Sequence, residues 1–225
     1  MIKILKQDYD FDVHPEPYLI QVLDKCFKNA NNFYDFGCGR GHWAKFLVKR
    51  YQIPFNCFDV DKDAEMHTRR ELSSHLLNSK IKDFSYDVIF VSCVTEMINE
   101  NEVSSSIDSI ISKLDINKRK GKIFLSSAFY NPFSIKWIIY RLLGKGDVKN
   151  YFIKNKHYRN FYKKSEIISF FKEKGFKLVY SVRGEIIPKG PKWIKSFLRF
   201  IFPLDFLYDR FYLVLEFDII NSNKK

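Results

Sequence analysis

Residues 34–46 read YDFGCGRGHWAKF, and they restrict what this chain can fold into more than any other stretch. An acid, Asp35, closes a short aromatic run, and Gly37, Gly39 and Gly41 follow at alternate positions. Trp43, Phe46 and Leu47 then recur at the spacing of an amphipathic helix. The order predicts a strand, a tight turn and a helix. Glycine at alternate positions removes the side chains between backbone and ligand, and it tolerates the positive φ that such a turn demands. The backbone can therefore touch a small molecule directly. The unpaired N–H groups at the start of the following helix favour a carboxylate in the same space.

The run DFGCGRG resembles the first motif of the class I S-adenosylmethionine-dependent methyltransferases, an acid followed by GxGxG at the end of the first strand. The competing dinucleotide fingerprint GxGxxG would need a glycine at position 42, which is His42 here. The resemblance implies S-adenosylmethionine as cofactor, with Asp35, Gly37, Cys38, Gly39 and Gly41 around its methionine end.

Residues 55–58 (FNCF) form a short predicted strand ending at Asp59, about twenty residues beyond the glycine turn. An acid there meets the two hydroxyls of a nucleoside ribose, and a carboxylate can accept from both. The run DVDKDAEMHTRREL resembles the second methyltransferase motif, which assigns Asp59 to the ribose with Val60 beside it. Asp61 is the alternative if the strand runs two residues longer, and capping of the next helix is the other use for such acids. Between residues 72 and 86 the family places a third strand and an adenine-binding group. This stretch is short and lacks an acid at the usual place, leaving Asn78, Ser79 and Asp83 as candidates.

Residues 86–92 (YDVIFVS) are almost continuously apolar, as a strand buried on both faces of a parallel sheet should be. The resemblance places Ser92 at the cofactor and Glu96, in the CVTEMI run that follows, near the sulfonium and the acceptor. Glu96 is thereby a catalytic candidate, or the start of a helix. Residues 102–116 predict a helix and 122–127 a strand. Residues 166–174 predict a further helix stopped by Gly175, and residues 176–182 and 211–219 the last two strands. At the other end, His14-Pro15-Glu16-Pro17 precedes a helix with Tyr18, Leu19, Val22, Leu23, Cys26 and Phe27 on one face. His14 is either a group over the pocket or a terminal surface residue. Alternating strands and helices make an α/β protein with a mostly parallel sheet. The family adds a Rossmann-like three-layer sandwich of seven strands, the last antiparallel.

With 225 residues, 46% apolar and 17% aromatic, residues 1–225 can bury one full core and are read as a single domain. No leader peptide and no apolar run of about 18 residues is apparent, so the expected location is the cytoplasm. Cys26, Cys38, Cys57 and Cys93 have neither CxxC nor metal-ligand spacing, so reduced thiols and no metal are expected. Cys38, Cys57 and Cys93 fall near predicted strand ends and could gather around the ligand.

Charge is divided unequally along the chain. Residues 1–110 hold 13 Lys and Arg against 17 Asp and Glu, and residues 111–225 hold 25 against 9. The basic half implies an anionic partner. Two long connections, residues 128–165 and 187–210, leave the carboxyl ends of predicted strands, where open α/β sheets bind ligands. They are expected to roof the acceptor pocket. The first has nine Lys and Arg against Asp147 alone. Within it, HYRNFYKKSEIISFFKEKGF resembles a segment common in methyltransferases of sugar, polysaccharide and lipid pathways. His157 matches a residue suited to be a general base, and Arg159 one suited to grip a phosphate or carboxylate. The second sets Trp193, Phe197, Phe200 and Ile201 against Lys192, Lys195 and Arg199, as a lid or as a helix lying on a membrane.

The expected activity is O-methylation of a small or carrier-linked acceptor, such as a sugar or anionic metabolite. A membrane-associated lipid or quinone methyltransferase and a non-catalytic cofactor-binding subunit are the alternatives. Nucleic acid is disfavoured as a substrate: Asn131-Pro132-Phe133 resembles the amino-methylating NPPY motif, but it follows the wrong strand and lacks the second proline.

Overall fold

The structure is a computed structural model. It describes residues 13, 15–77, 86–114, 121–147, 149–150, 153–154, 159–184, 208 and 210–217. Six strands form one sheet: β1 (Phe33–Phe36), β2 (Phe55–Phe58), β3 (Val88–Ser92), β4 (Lys122–Ala128), β5 (Phe176–Arg183) and β6 (Arg210–Phe217). Their order across the sheet is β2-β1-β3-β4-β6-β5. The first four are parallel, and β6 runs antiparallel to both β4 and β5. The expected antiparallel last strand is therefore present. A seventh strand does not appear among the described residues. Leu76 makes an isolated parallel bridge to Phe55 on the open side of β2, where a further edge strand would start, and residues 78–85 lie outside the described residues.

Period-two alternation along the strands divides the core between the two faces. On one side Phe33, Phe55, Val88, Phe90 and Phe124 pack against α1 (Pro17–Phe27) and α2 (His42–Tyr51). On the other, Ile89, Val91, Ile123 and Leu125 pack against α4 (Val103–Ile111) and α6 (Lys164–Glu173). This is the three-layer arrangement. Of the remaining helices, α3 (Lys62–Glu71) follows β2, and α5 (Ile135–Leu142) lies in the connection after β4.

Local chemistry accounts for the ends of these elements. Pro17 occupies the first turn of α1, where a missing N–H costs nothing. The Asp61 carboxylate accepts from the N–H groups of Asp63 and Ala64 and caps α3. The Glu166 carboxylate accepts from Lys163 N–H at 2.7 Å at the start of α6. The α4 helix is shorter than its apolar pattern predicts, because a 3-10 turn over Glu100–Glu102 precedes it and Leu114 already bridges back to Tyr86.

Candidate active site

Strand order reverses between β1 and β3, and a cleft of about 700 Å³ opens at the carboxyl ends of β1, β2 and β3. Gly37 and Phe36 come to it from β1, Asp59 and Val60 from β2, and Ser92, Cys93 and Val94 from β3. Met97, Ser105, Ser106 and Ser109 line its α4 side, and Arg159 reaches it from the connection after β4.

The glycine turn has left-handed backbone at each of its glycines, with φ of +85° at Gly37, +52° at Gly39 and +79° at Gly41. A Cβ on Gly37 would overlap Val94 Cγ2, and one on Gly41 would stand 2.7 Å from Thr68 Cγ2. A Cβ on Gly39 would meet nothing within 4 Å. The first and third glycines are thus required by the fold, whereas the second leaves open space beside its backbone.

The structure separates the two acids that competed for one role. Asp61 caps α3, and Asp59 turns toward the glycine loop, where Oδ2 accepts from Gly39 N–H at 2.7 Å and Oδ1 from Asp61 N–H at 2.9 Å. Three residues that the sequence reading passed over fix this arrangement. Glu65 accepts from the Asp59 N–H and from Arg69 and Lys62. These hydrogen bonds outweigh the upward effect of its burial and hold its carboxyl below the ordinary range. Arg69 also ties down β2 through Asn56 and the Cys57 carbonyl. Thr68 donates to the Gly39 carbonyl at 2.9 Å. Their only sequence signal is helical spacing that brings Glu65, Thr68 and Arg69 to one side of α3.

Asp35 is 1% exposed, and its Oδ2 is buried with no hydrogen-bond partner. Burial first, then the proximity of Cys57 and Asp59, push its carboxyl well above the usual carboxylate range. Of the cysteines expected near the ligand, Cys38 and Cys57 are buried and Cys93 is exposed on the cleft. A hydrogen bond with Cys57, followed by burial, raises the Cys38 thiol, so it stays protonated. Among the described residues no group of three or more candidate metal ligands occurs.

Glu96, expected to face the reacting groups, instead turns into the protein. It is 1% exposed; Ser127 donates to its Oε2 at 2.6 Å, Thr95 at 3.3 Å, and Ser127 and Thr95 also bond each other. Its Oε1 is buried without a partner. The Glu96 carbonyl accepts the N–H groups of Arg159 at 2.8 Å and Asn160 at 3.3 Å, so this buried residue holds the segment that brings Arg159 to the cleft.

Arg210, at the start of β6, had no place in the sequence reading. Its Nη1 donates to Cys93 Sγ at 3.3 Å, and Cys93 presents that sulfur from a left-handed backbone, φ +58°. Burial opposes the charge of Arg210, but Cys93 and Glu96 more than offset it, and its pKa is raised. Asn131, from the NPPY-like triplet, spends its amide on the Tyr208 carbonyl at 2.6 Å and its oxygen on Phe133 N–H. That side chain braces the connection into β6. His14, His157, Asn78, Ser79, Asp83 and the aromatic-basic run 187–207 lie outside the described residues.

A family model described as "Methyltransferase domain" matches residues 14–181. No curated protein matches the chain. Among solved structures, the fold is similar to a SAM-dependent methyltransferase from Archaeoglobus fulgidus, with a TM-score of 0.60 at 15% identity, covering 88% of this chain and 91% of that one. It is also similar to the magnesium protoporphyrin IX methyltransferase of Synechocystis PCC 6803 with bound SAH, with a TM-score of 0.54 at 14% identity over 88% and 79% of the two chains. An O-methyltransferase family protein from Burkholderia thailandensis gives 0.58 at 13% identity over 89% of this chain and 55% of that one.

Proposed function

The chain belongs to the methyltransferase-domain family, and from that premise we propose that it methylates an oxygen of a small or carrier-linked acceptor bearing a negative charge. S-adenosylmethionine is its cofactor and supplies a methyl group already activated on a sulfonium. What the protein must add is alignment of the acceptor and exclusion of water.

The cleft fits that cofactor, since about 700 Å³ lies within the usual range of small-molecule sites. We assign its methionine end to the turn from Gly37 to Gly41, where Gly39 leaves its backbone uncovered and Cys38 lies within the loop. The unpaired Asp35 oxygen supplies a buried negative partner for the ammonium of the cofactor. Asp59 takes the ribose: each carboxylate oxygen accepts one backbone N–H and retains a lone pair for a hydroxyl. Val60, 86% exposed, and Met97 offer apolar surface to the adenine, with the hydroxyls of Ser105, Ser106 and Ser109 on the same wall. Ser92 closes the floor at the end of β3.

The observation that carries the anionic acceptor is the Arg159 side chain on the cleft wall, with a second guanidinium, that of Arg210, bonded to the cleft residue Cys93. Among the described residues Cys93 is the only group to which the Arg210 side chain donates a hydrogen bond, and we assign its remaining N–H donors to a carboxylate or phosphate of the acceptor. Glu96 acts as a positioning residue for Arg159. His157 is assigned the removal of the hydroxyl proton as the acceptor oxygen bonds to the methyl carbon. The bound cofactor would supply the methyl group, its sulfur taking up the electron pair of the broken bond, and would leave as S-adenosylhomocysteine.

The test is release of S-adenosylhomocysteine with matched acceptors, neutral sugars beside their phosphates and uronates. Turnover confined to the anionic members is expected. Arg159→Ala or Arg210→Lys should raise KM for them by about 10- to 100-fold, as loss of a charged hydrogen bond implies, with cofactor affinity retained. Equal use of the neutral sugars would contradict the reading. Tight cofactor binding with no turnover on any acceptor would make the chain a non-catalytic subunit.

A further inference from the structure

Helix α5 is apolar on two opposite sides. Its inner side is fixed by Trp137, which is 2% exposed and packs edge-on against Tyr130 and Phe161 at 5.0 and 5.7 Å between centroids. Ser134 caps the helix by accepting from Trp137 N–H, so its rotation is set by both a cap and a buried ring. At about 100° per residue, Ile138, Ile139, Leu142 and Leu143 then fall in an arc centred opposite Trp137. They are 40%, 47%, 82% and 64% exposed. Phe133, just before the cap, is a further exposed apolar side chain.

A helix that keeps an apolar stripe in solvent opposite the one it buries has a second face suited to another apolar phase. Contiguous exposed apolar surface of this kind marks an interaction site, whereas single exposed leucines do not. The surrounding charge selects the partner. Lys136, Arg141, Lys145 and Lys149 lie within or just after the helix, against one acid, Asp147. An apolar strip flanked by cations complements an anionic lipid surface, into which such side chains sink while Lys and Arg reach the headgroups.

We propose that α5 docks the protein onto an anionic membrane through Ile138, Ile139, Leu142 and Leu143. The helix leaves the carboxyl end of β4, the same end of the sheet at which the cleft opens. Docking therefore brings the cleft to the lipid headgroups. Taken with the proposed anionic acceptor, on which this extension alone rests, it makes the acceptor a lipid-linked one, whereas docking itself does not depend on turnover.

Cosedimentation with vesicles of phosphatidylcholine alone, and of phosphatidylcholine mixed with phosphatidylglycerol, tests this. The wild type should partition onto the anionic vesicles and not onto the neutral ones. Changing Leu142 and Leu143 together to Glu should reduce partition about tenfold or more, and Lys145→Ala about fivefold. S-adenosylhomocysteine affinity and melting temperature should stay at wild-type values in both variants, which shows that they are folded. Absence of vesicle binding by the wild type would overturn the proposal, as would undiminished binding by the double variant. A wild-type dimer that the double variant abolishes, without any vesicle binding, would assign the strip to a protein partner instead.

Discussion

Replacing Gly37 by alanine should damage the fold itself, and the size of the damage follows from two separate terms. Its φ of +85° lies in a region that costs an L-residue on the order of 1–2 kcal/mol. The new Cβ would also overlap Val94 Cγ2, and forcing a methyl group into occupied space costs about 1–3 kcal/mol. The sum is roughly 2–5 kcal/mol, which for a chain of this length lowers the melting temperature by about 4–20 °C. Gly39→Ala is the control. Its φ of +52° carries the conformational term, but its Cβ meets nothing, so about 1–2 kcal/mol and a shift of roughly 2–8 °C are expected.

The two terms can be separated by a double-mutant cycle. Val94→Ala in the wild type removes apolar contacts and should lower the melting temperature. The same change in the Gly37→Ala background relieves the overlap and should raise it. Melting followed by circular dichroism, with and without S-adenosylhomocysteine, reads all four proteins. Gly39→Ala should melt closer to the wild type than Gly37→Ala does, yet bind S-adenosylhomocysteine at least about tenfold more weakly, because its methyl group occupies the space assigned to the cofactor. If Gly37→Ala and Gly39→Ala melted together, or if Val94→Ala lowered stability in both backgrounds, the account of the turn would be wrong.

Other consequences can be checked independently. Asp35 is raised well above the ordinary carboxylate range by burial, so it is protonated in the cofactor-free protein between that range and its raised value. An ammonium placed beside it favours the charged form, and cofactor binding in this window should release a proton, seen as a calorimetric enthalpy that varies with the ionisation enthalpy of the buffer. The same shift makes stability highest below the unfolded carboxyl pKa and lower as pH rises toward the folded value; Asp35→Asn should flatten that decline. His157→Gln should reduce kcat about 100-fold or more, with cofactor affinity unchanged. Glu65→Gln weakens the hold on the Asp59 backbone and should reduce S-adenosylhomocysteine affinity several-fold, an effect readable by calorimetry without any acceptor.

The parts of this molecule that were legible in the sequence are those whose physics is local. The alternation of Gly37, Gly39 and Gly41 reports a backbone conformation, and the apolar run before Ser92 reports burial on both faces; both expectations match the structure. The choice between Asp59 and Asp61 needed the cap of α3 to be seen, because either acid could have ended β2. Helical spacing puts Glu65, Thr68 and Arg69 on one side of α3, but does not show which partners they meet in β2, at Asp59 and in the glycine loop. Arg210 reaches Cys93 only because β6 inserts between β4 and β5, a pairing set by the whole sheet. The position of Glu96 after β3 left open both the cleft and a helix start, whereas the inward turn of its carboxylate depends on the hydroxyls of Ser127 and Thr95, which sequence position does not reveal. In α5, helical pattern alone could not tell the Trp137 side from the side left in solvent.

The most direct measurement is a calorimetric titration of the wild type and of Asp59→Ala with S-adenosylhomocysteine. A single site per chain is expected in the wild type, and in the variant a loss of about 10- to 1,000-fold as charged hydrogen bonds to two ribose hydroxyls disappear. A folded wild type that binds no S-adenosylhomocysteine, or an Asp59→Ala variant that binds it as tightly as the wild type, would contradict the placement of the cofactor in this cleft.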